Sequence, residues 1–454
     1  MEKFGVSLHM NIIGQETYRD HLNNLCLENE KLRKEILTLA REAVRKAHIE
    51  EDPSLTNQDV IDVAVSFDGS WPKRGHTSLI GFGAVVDILT GLVVDFELVS
   101  KYCHMCCVRA DEYGEGTATF LAWKKKHEEL GECNINFDGS SNAMEKEVAG
   151  ILWRRSEQEC KMRYTVMLGD GDAKTFDYLV GEEIYGEGVE LVKEECTNHV
   201  EKRLGTALRN LVQTEKARGV TLGGRGQATL KVDNINKLQS YYRLAIQKNA
   251  PDVQAMRNAI LATIHHANST DSKPNHKYCP KVANSWCYYQ KQKAVSARAK
   301  PTAPTARTLA ISDAVLAKIL PIYKRLSSTE LLERCARLGT QNANECLHSV
   351  IWRKCPKEMF FSMKRYQLGA TLGVGEFNMG VQTMMDLKAS IRKEQNSKAA
   401  EKIAERQDEK RKRKSSMQSQ TTAKKARKKA TKKKKARQSA LKKKEGTTYA
   451  AGNF

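Results

Sequence analysis

The chain has 454 residues, 40% of them apolar, enough for one large or two ordinary domains with their own cores. Its formal charge of +21 is uneven: residues 391–454 hold 23 Lys and Arg against 6 Asp and Glu, a net +17, so the body is close to neutral and the tail is the basic object. Twelve cysteines are too sparse for a disulfide scaffold, and MEKFGVSLHM lacks the apolar centre of a signal peptide, which together predict a reducing, intracellular setting.

In chain order, residues 17–47 have a helical period. Leu22, Leu25, Asn29, Leu32, Ile36 and Leu39 fall on alternating a and d positions, with Glu28 and Arg33 at g and e. The pattern fits either a short homodimeric zipper or an amphipathic helix lying on its own domain.

From Ile61 the period becomes that of strands, expected over 61–67, 78–88 and 91–99. The apolar run from Leu79 to Phe96 is of about spanning length, but it contains Asp87, Asp95 and the Thr90-Gly91 turn. It reads as two strands, and no membrane segment is expected. In VSFDGSW, residues 65–71, Asp68 closes the first expected strand. An Asp before Gly at that point is either a turn residue or a carboxylate presented at a rigid edge.

Helical stretches follow near 116–130 and over 141–155, where Met144, Val148, Ile151 and Leu152 share a face. YTVMLGDGD, residues 164–172, is a second apolar strand ending in acids, Asp170 and Asp172. Another strand, 189–193, leads into a helix that starts near Cys196. Three consecutive strands, then helices, then strands alternating with helices predict an α/β fold with a mixed sheet flanked by helices on both faces.

The expected organisation is a helical segment over 1–60, the first part of the sheet core over 61–200, a mainly helical insertion over 201–325, C-terminal helices over 326–390 that complete the core, and a disordered basic tail over 391–454. The tail clusters KRKRK (410–414), KKARKK (424–429) and KKKKAR (432–437) read as nuclear import signals and as an arm for DNA phosphates.

Cys103 and Cys106 have zinc-knuckle spacing after a strand, and His276, Cys279 and Cys287 form a second group. One structural Zn²⁺ held by Cys103, Cys106, Cys279 and either Cys287 or His276 is one expectation; ordinary buried thiols are the other. Cys196 and His199 form a Cys-x-x-His at a helix start, which puts both on one face, as a metal or a shared hydrogen bond requires.

Five stretches occur in a consistent order: VSFDGSWPKRGHTSLIGFGAVVDILTGLVVDFELVSKYCHMC (65–106), YTVMLGDGDAKTF (164–176), EECTNHVEKRLGTALR (194–209), HKYCPKVANSWCYY (276–289) and NANECLHSVIWRKCPKE (342–358). Together they resemble the Mutator-like transposase domain over about residues 40–390. The resemblance implies a ribonuclease-H-like core with an Asp, Asp, Glu active site: Asp68 is the first acid, Asp170 or Asp172 the second, and Glu345 the third. It also implies Mg²⁺ or Mn²⁺ on these carboxylates, DNA as partner, and cleavage and strand transfer at transposon ends. Cys196 and His199 are similar to a motif found between the second and third acids of such elements. Phosphodiester transfer of this kind needs carboxylates on rigid elements that hold two hard cations about 3.5–4 Å apart. The alternative expectation is a domesticated, catalytically inactive nuclear DNA-binding protein.

Overall fold

The structure, a computed structural model, describes residues 14–72, 77–171, 173–224, 226, 228–270, 272–296 and 309–393. The basic tail clusters and Asp172 lie outside the described residues, as do the side chains of Leu22 and Leu25. The chain divides into two compact units. Among the described residues one comprises 14–167, 173–192 and 341–393, and the other 168–171 and 193–340.

The first unit opens with helix α1 (Gln15–Glu51), followed by strands β1 (Ile61–Ser70), β2 (Ile80–Asp87) and β3 (Val93–Ser100). Helices α2 (His104–Tyr113), α3 (Ala118–Glu129) and α4 (Met144–Arg155) come next, then β4 (Met162–Gly169) and α5 (Ala173–Gly181); β5 (Val192–Glu195) belongs mostly to the second unit. The sheet is mixed, in the order β3-β2-β1-β4-β5, and its first three strands form an antiparallel meander.

Every residue of β2 is buried, which requires cover on both faces. The pleat separates the two covers: Phe82, Ala84 and Val86 join a cluster with α1, while Val85 joins one built on Met144, Val148 and Trp153 of α4. Asp87 and Asp95, the charges that interrupt the apolar run, are themselves buried. His48 Nε2 lies 2.8 Å from Asp87 Oδ1, and Arg155 and Arg41 both reach Asp95, so α1 and α4 are tied to the sheet through them.

The expected zipper helix is present, and from Asn29 onward its seam serves its own unit. Leu32, Ile36 and Leu37 are buried against the sheet and the C-terminal helices. The approach is close: a Cβ on Gly375 would stand 2.9 Å from Ile36 Cδ1 and 2.8 Å from Met384 Cγ, so a larger residue would force these side chains to shift. Ile36→Ala is therefore expected to cost about 2–5 kcal/mol. Urea midpoints at two protein concentrations check this; a core role predicts the same loss at both.

The second unit contains α6 (Thr197–Ala217), α7 (Val232–Asn249), α8 (Val253–Asn268), α9 (Tyr288–Val295), α10 (Asp313–Leu326) and α11 (Thr329–Glu333). Its core runs through Leu204, Leu238, Tyr242, Ile260, Ile319 and Tyr323, and the Tyr242 hydroxyl donates to the Leu326 carbonyl at 2.6 Å. The chain then returns to the first unit as α12 (Asn342–Lys354), α13 (Met363–Met379) and α14 (Val381–Lys393). Among the described residues no helix is long and apolar enough to cross a membrane.

Candidate active site

Asp68 does not close its strand. β1 continues through Gly69 and Ser70, with Asp68 opposite Ala84 and Gly69 opposite Gly83 in the pairing with β2. The Gly after Asp68 is not a turn residue either. A Cβ at Gly69 would meet the Trp71 ring at 2.2 Å, so glycine is there to let the indole fold back over the strand. Asp68 thus sits on a paired, rigid segment with its side chain about 25% exposed.

Helix α12 tracks this strand in step. Ser66 Oγ donates to Asn344 Oδ1 at 2.6 Å, His348 Nδ1 lies 3.6 Å from Asp68 Oδ2, and Trp352 Nε1 donates to Ser70 Oγ at 2.8 Å. Four helical residues rise about 6 Å and two strand residues about 6.6 Å, so the stripe 344, 348, 352 matches the pleat positions 66, 68, 70. Gln341 Nε2, at the helix N-cap, also donates to the Phe67 carbonyl at 2.9 Å. Gln341, Asn344 and Ser66 are buried, so these bonds are shielded from water.

Glu345 is exposed in the first turn of α12, where the helix dipole favours an acid. It lies about 60° around the helix from His348, so Asp68 and Glu345 address the same turn. His348 packs edge-on against Phe82, with ring centroids 5.9 Å apart. Burial, with a smaller push from Lys357, drives the imidazole down to about 4. The ring is neutral near pH 7, and its approach to Asp68 is not an ion pair at that pH.

In the second unit, Asp170 directly follows β4, the strand beside β1 in the sheet. The start of α6 is anchored beside it: the Cys196 amide donates to the Gly169 carbonyl at 3.0 Å, and the His199 amide to the Cys196 carbonyl at 2.9 Å. Cys196 is buried, and its hydrogen bond is the main cause that raises His199 above its ordinary pKa, with burial opposing and Asp170 adding to the rise. Asp170 and His199 line a groove of about 950 Å³ with Lys202, Arg203, Arg325 and Arg334. A smaller groove of about 550 Å³, between α1 and residues 56–59, contains none of the predicted acids.

The profile of the Mutator-like transposase family matches residues 1–287. The chain belongs to the Mutator-like transposase family. No curated protein and no solved structure matches it. The matched span begins well before the expected residue 40 and ends before the expected 390. Within this Mutator family member, Asp68, Asp170, Asp172, Cys196 and His199 fall inside the span and Glu345 beyond it, on the helix whose His348 lies 3.6 Å from Asp68.

The thiols of this Mutator-family chain depart from the expected single set. Cys103 and Cys106 gather with His127 and Cys133, whereas His276, Cys279 and Cys287 gather with His266. Each group is complete with four ligand-type residues, so neither half-site needs the other. His127, Cys133, His266 and His348 were not singled out from sequence. Only His348 carried a local signal, the Asn344, His348, Trp352 stripe at a spacing of four.

Proposed function

We propose that the protein catalyses divalent-metal-dependent cleavage and strand transfer of DNA at transposon ends. The in-step docking of α12 on β1 supports this reading: His348, one turn on from Glu345, lies 3.6 Å from Asp68 in a member of the Mutator-like family. The antiparallel meander followed by strands that alternate with helices supports a ribonuclease-H-like core.

Asp68, Asp170 or Asp172, and Glu345 supply hard carboxylate oxygens, the donor type that Mg²⁺ and Mn²⁺ take, so the residues fit the implied ions. Bound there, such ions would promote attack on the phosphate and neutralise charge on the leaving oxygen. His348, buried and neutral, stands 3.6 Å from Asp68 without adding a competing positive charge. Lys202, Arg203, Arg325 and Arg334 suit the DNA backbone, and the tail clusters would add a salt-sensitive phosphate arm and a nuclear import signal. Two transposon ends call for a homodimer.

Incubating the full chain with a labelled DNA duplex in Mg²⁺ or Mn²⁺ tests the proposal. Wild type is expected to cut and chelator to stop it, while Glu345→Gln binds the duplex but cuts at least ~10²-fold more slowly. Wild type that binds without cutting in either metal supports the domesticated, inactive alternative instead.

A further inference from the structure

Two parts of the molecule have too little apolar core for their size. Helices α2 and α3 bury only Cys106, Phe120 and His127. In the second unit the described residues between Asn268 and Tyr288 form neither helix nor strand, and the small cluster beneath them buries Ala262, Cys279 and Cys287. Loops of that length inside a compact unit need something to hold them. In both places three of the four residues that could bind a metal are buried and the fourth is partly buried.

The distances agree with that role. A tetrahedral Zn²⁺ with Zn–S of about 2.3 Å and Zn–N of about 2.0–2.1 Å sets its ligand atoms about 3.4–3.8 Å apart. In the first group Cys103 Sγ is 3.4 Å from His127 Nε2, and Cys106 Sγ is 3.6 Å from Cys133 Sγ. In the second, Cys279 Sγ is 3.7 Å from His266 Nδ1 and 3.9 Å from His276 Nδ1, and Cys287 Sγ is 3.4 Å from His276 Nδ1. Within each group all four ligand atoms lie inside 4.8 Å of one another.

The histidines are also oriented as metal ligands are. His127 points Nε2 at the thiols while Nδ1 faces Glu132 Oε2 at 3.3 Å. His276 points Nδ1 at the thiols while Nε2 meets Ser269 Oγ at 2.8 Å. A partner on the second nitrogen fixes the ring and its tautomer, which is how ligating imidazoles are usually held.

We propose that the chain carries two independent structural Zn²⁺ sites, one on Cys103, Cys106, His127 and Cys133 and one on His266, His276, Cys279 and Cys287. Four protein ligands leave no open position, so each ion is a staple rather than a catalyst. The first fastens the α2–α3 hairpin to the end of β3. The second joins the C-terminal turn of α8 to the N-cap of α9 across the irregular segment.

Elemental analysis of the full chain, purified without chelator, is expected to find about two zinc ions per chain, with Cys106→Ser and Cys279→Ser each retaining about one. Co²⁺ exchanged into wild type should give intense tetrahedral d–d bands and thiolate charge-transfer absorption, a readout that needs no variant to fold. Less than about one zinc per chain, octahedral Co²⁺ spectra, or a Cys106–Cys133 disulfide in the freshly purified protein overturns the proposal.

Discussion

Asp68→Asn is expected to leave DNA affinity within about twofold of wild type and to lower cleavage by roughly 10³-fold or more, about 4 kcal/mol of barrier. Asparagine has nearly the shape of aspartate, and its amide can donate to His348 Nδ1, which lies 3.6 Å from the carboxylate. The ties of Ser66 to Asn344 and of Ser70 to Trp352 on either side do not involve Asp68, so β1 and α12 should remain docked. What is lost is the negative charge on which a hard cation depends. Single-turnover cleavage and filter binding on the same preparation separate the two effects. A variant that cuts at the wild-type rate removes Asp68 from the chemistry.

Arg155→Met is expected to lower stability by about 3–5 kcal/mol, the largest structural effect foreseen. Its guanidinium holds the Asp95 carboxylate with both forks, Nε to Oδ2 at 2.7 Å and Nη2 to Oδ1 at 2.9 Å. The same Nη2 donates to the Phe96 carbonyl at 3.0 Å, and Nη1 reaches Glu97. Asp95 has only 1% of its side chain exposed, so losing Arg155 leaves a buried charge to Arg41 alone, whose Nη2 is 3.5 Å away. Methionine keeps most of the apolar stem, which confines the loss to charge and hydrogen bonds. Adding Asp95→Asn should recover much of it, and urea midpoints of the two single variants and the double read the coupling.

The sheet was legible because its signals are local. Alternation and the Thr90-Gly91 turn located the meander within about three residues, against observed limits of 61–70, 80–87 and 93–100. The end of β1 was misjudged because Asp-Gly usually marks a turn, and the reason for Gly69 is tertiary, the Trp71 ring lying over it. Asp68 and Glu345 were named from motifs, but the stripe that brings His348 to Asp68 lies on a helix 280 residues further along the chain. Neither thiol–imidazole group could be assembled from spacing. His127 and Cys133 lie on a helix and a loop well after Cys106, and His266 ends a helix before the irregular segment begins, so only the folded chain shows which residues converge.

The bond between Phe67 and Gln341 spans 274 residues, and everything that separates them must be synthesised before it can form. At about 5–20 residues per second a ribosome needs roughly 14–55 s to cover that distance. During that interval the nascent strand bearing Asp68 has no α12 beside it, and Glu345 does not yet exist. A chain that stalls, or is cut by a protease anywhere in the second unit before release, is left with at most two of the three carboxylates proposed to bind metal. On the proposed reading, cleavage therefore waits until α12 has been made and docked, and chains that stop within the second unit do not cut DNA.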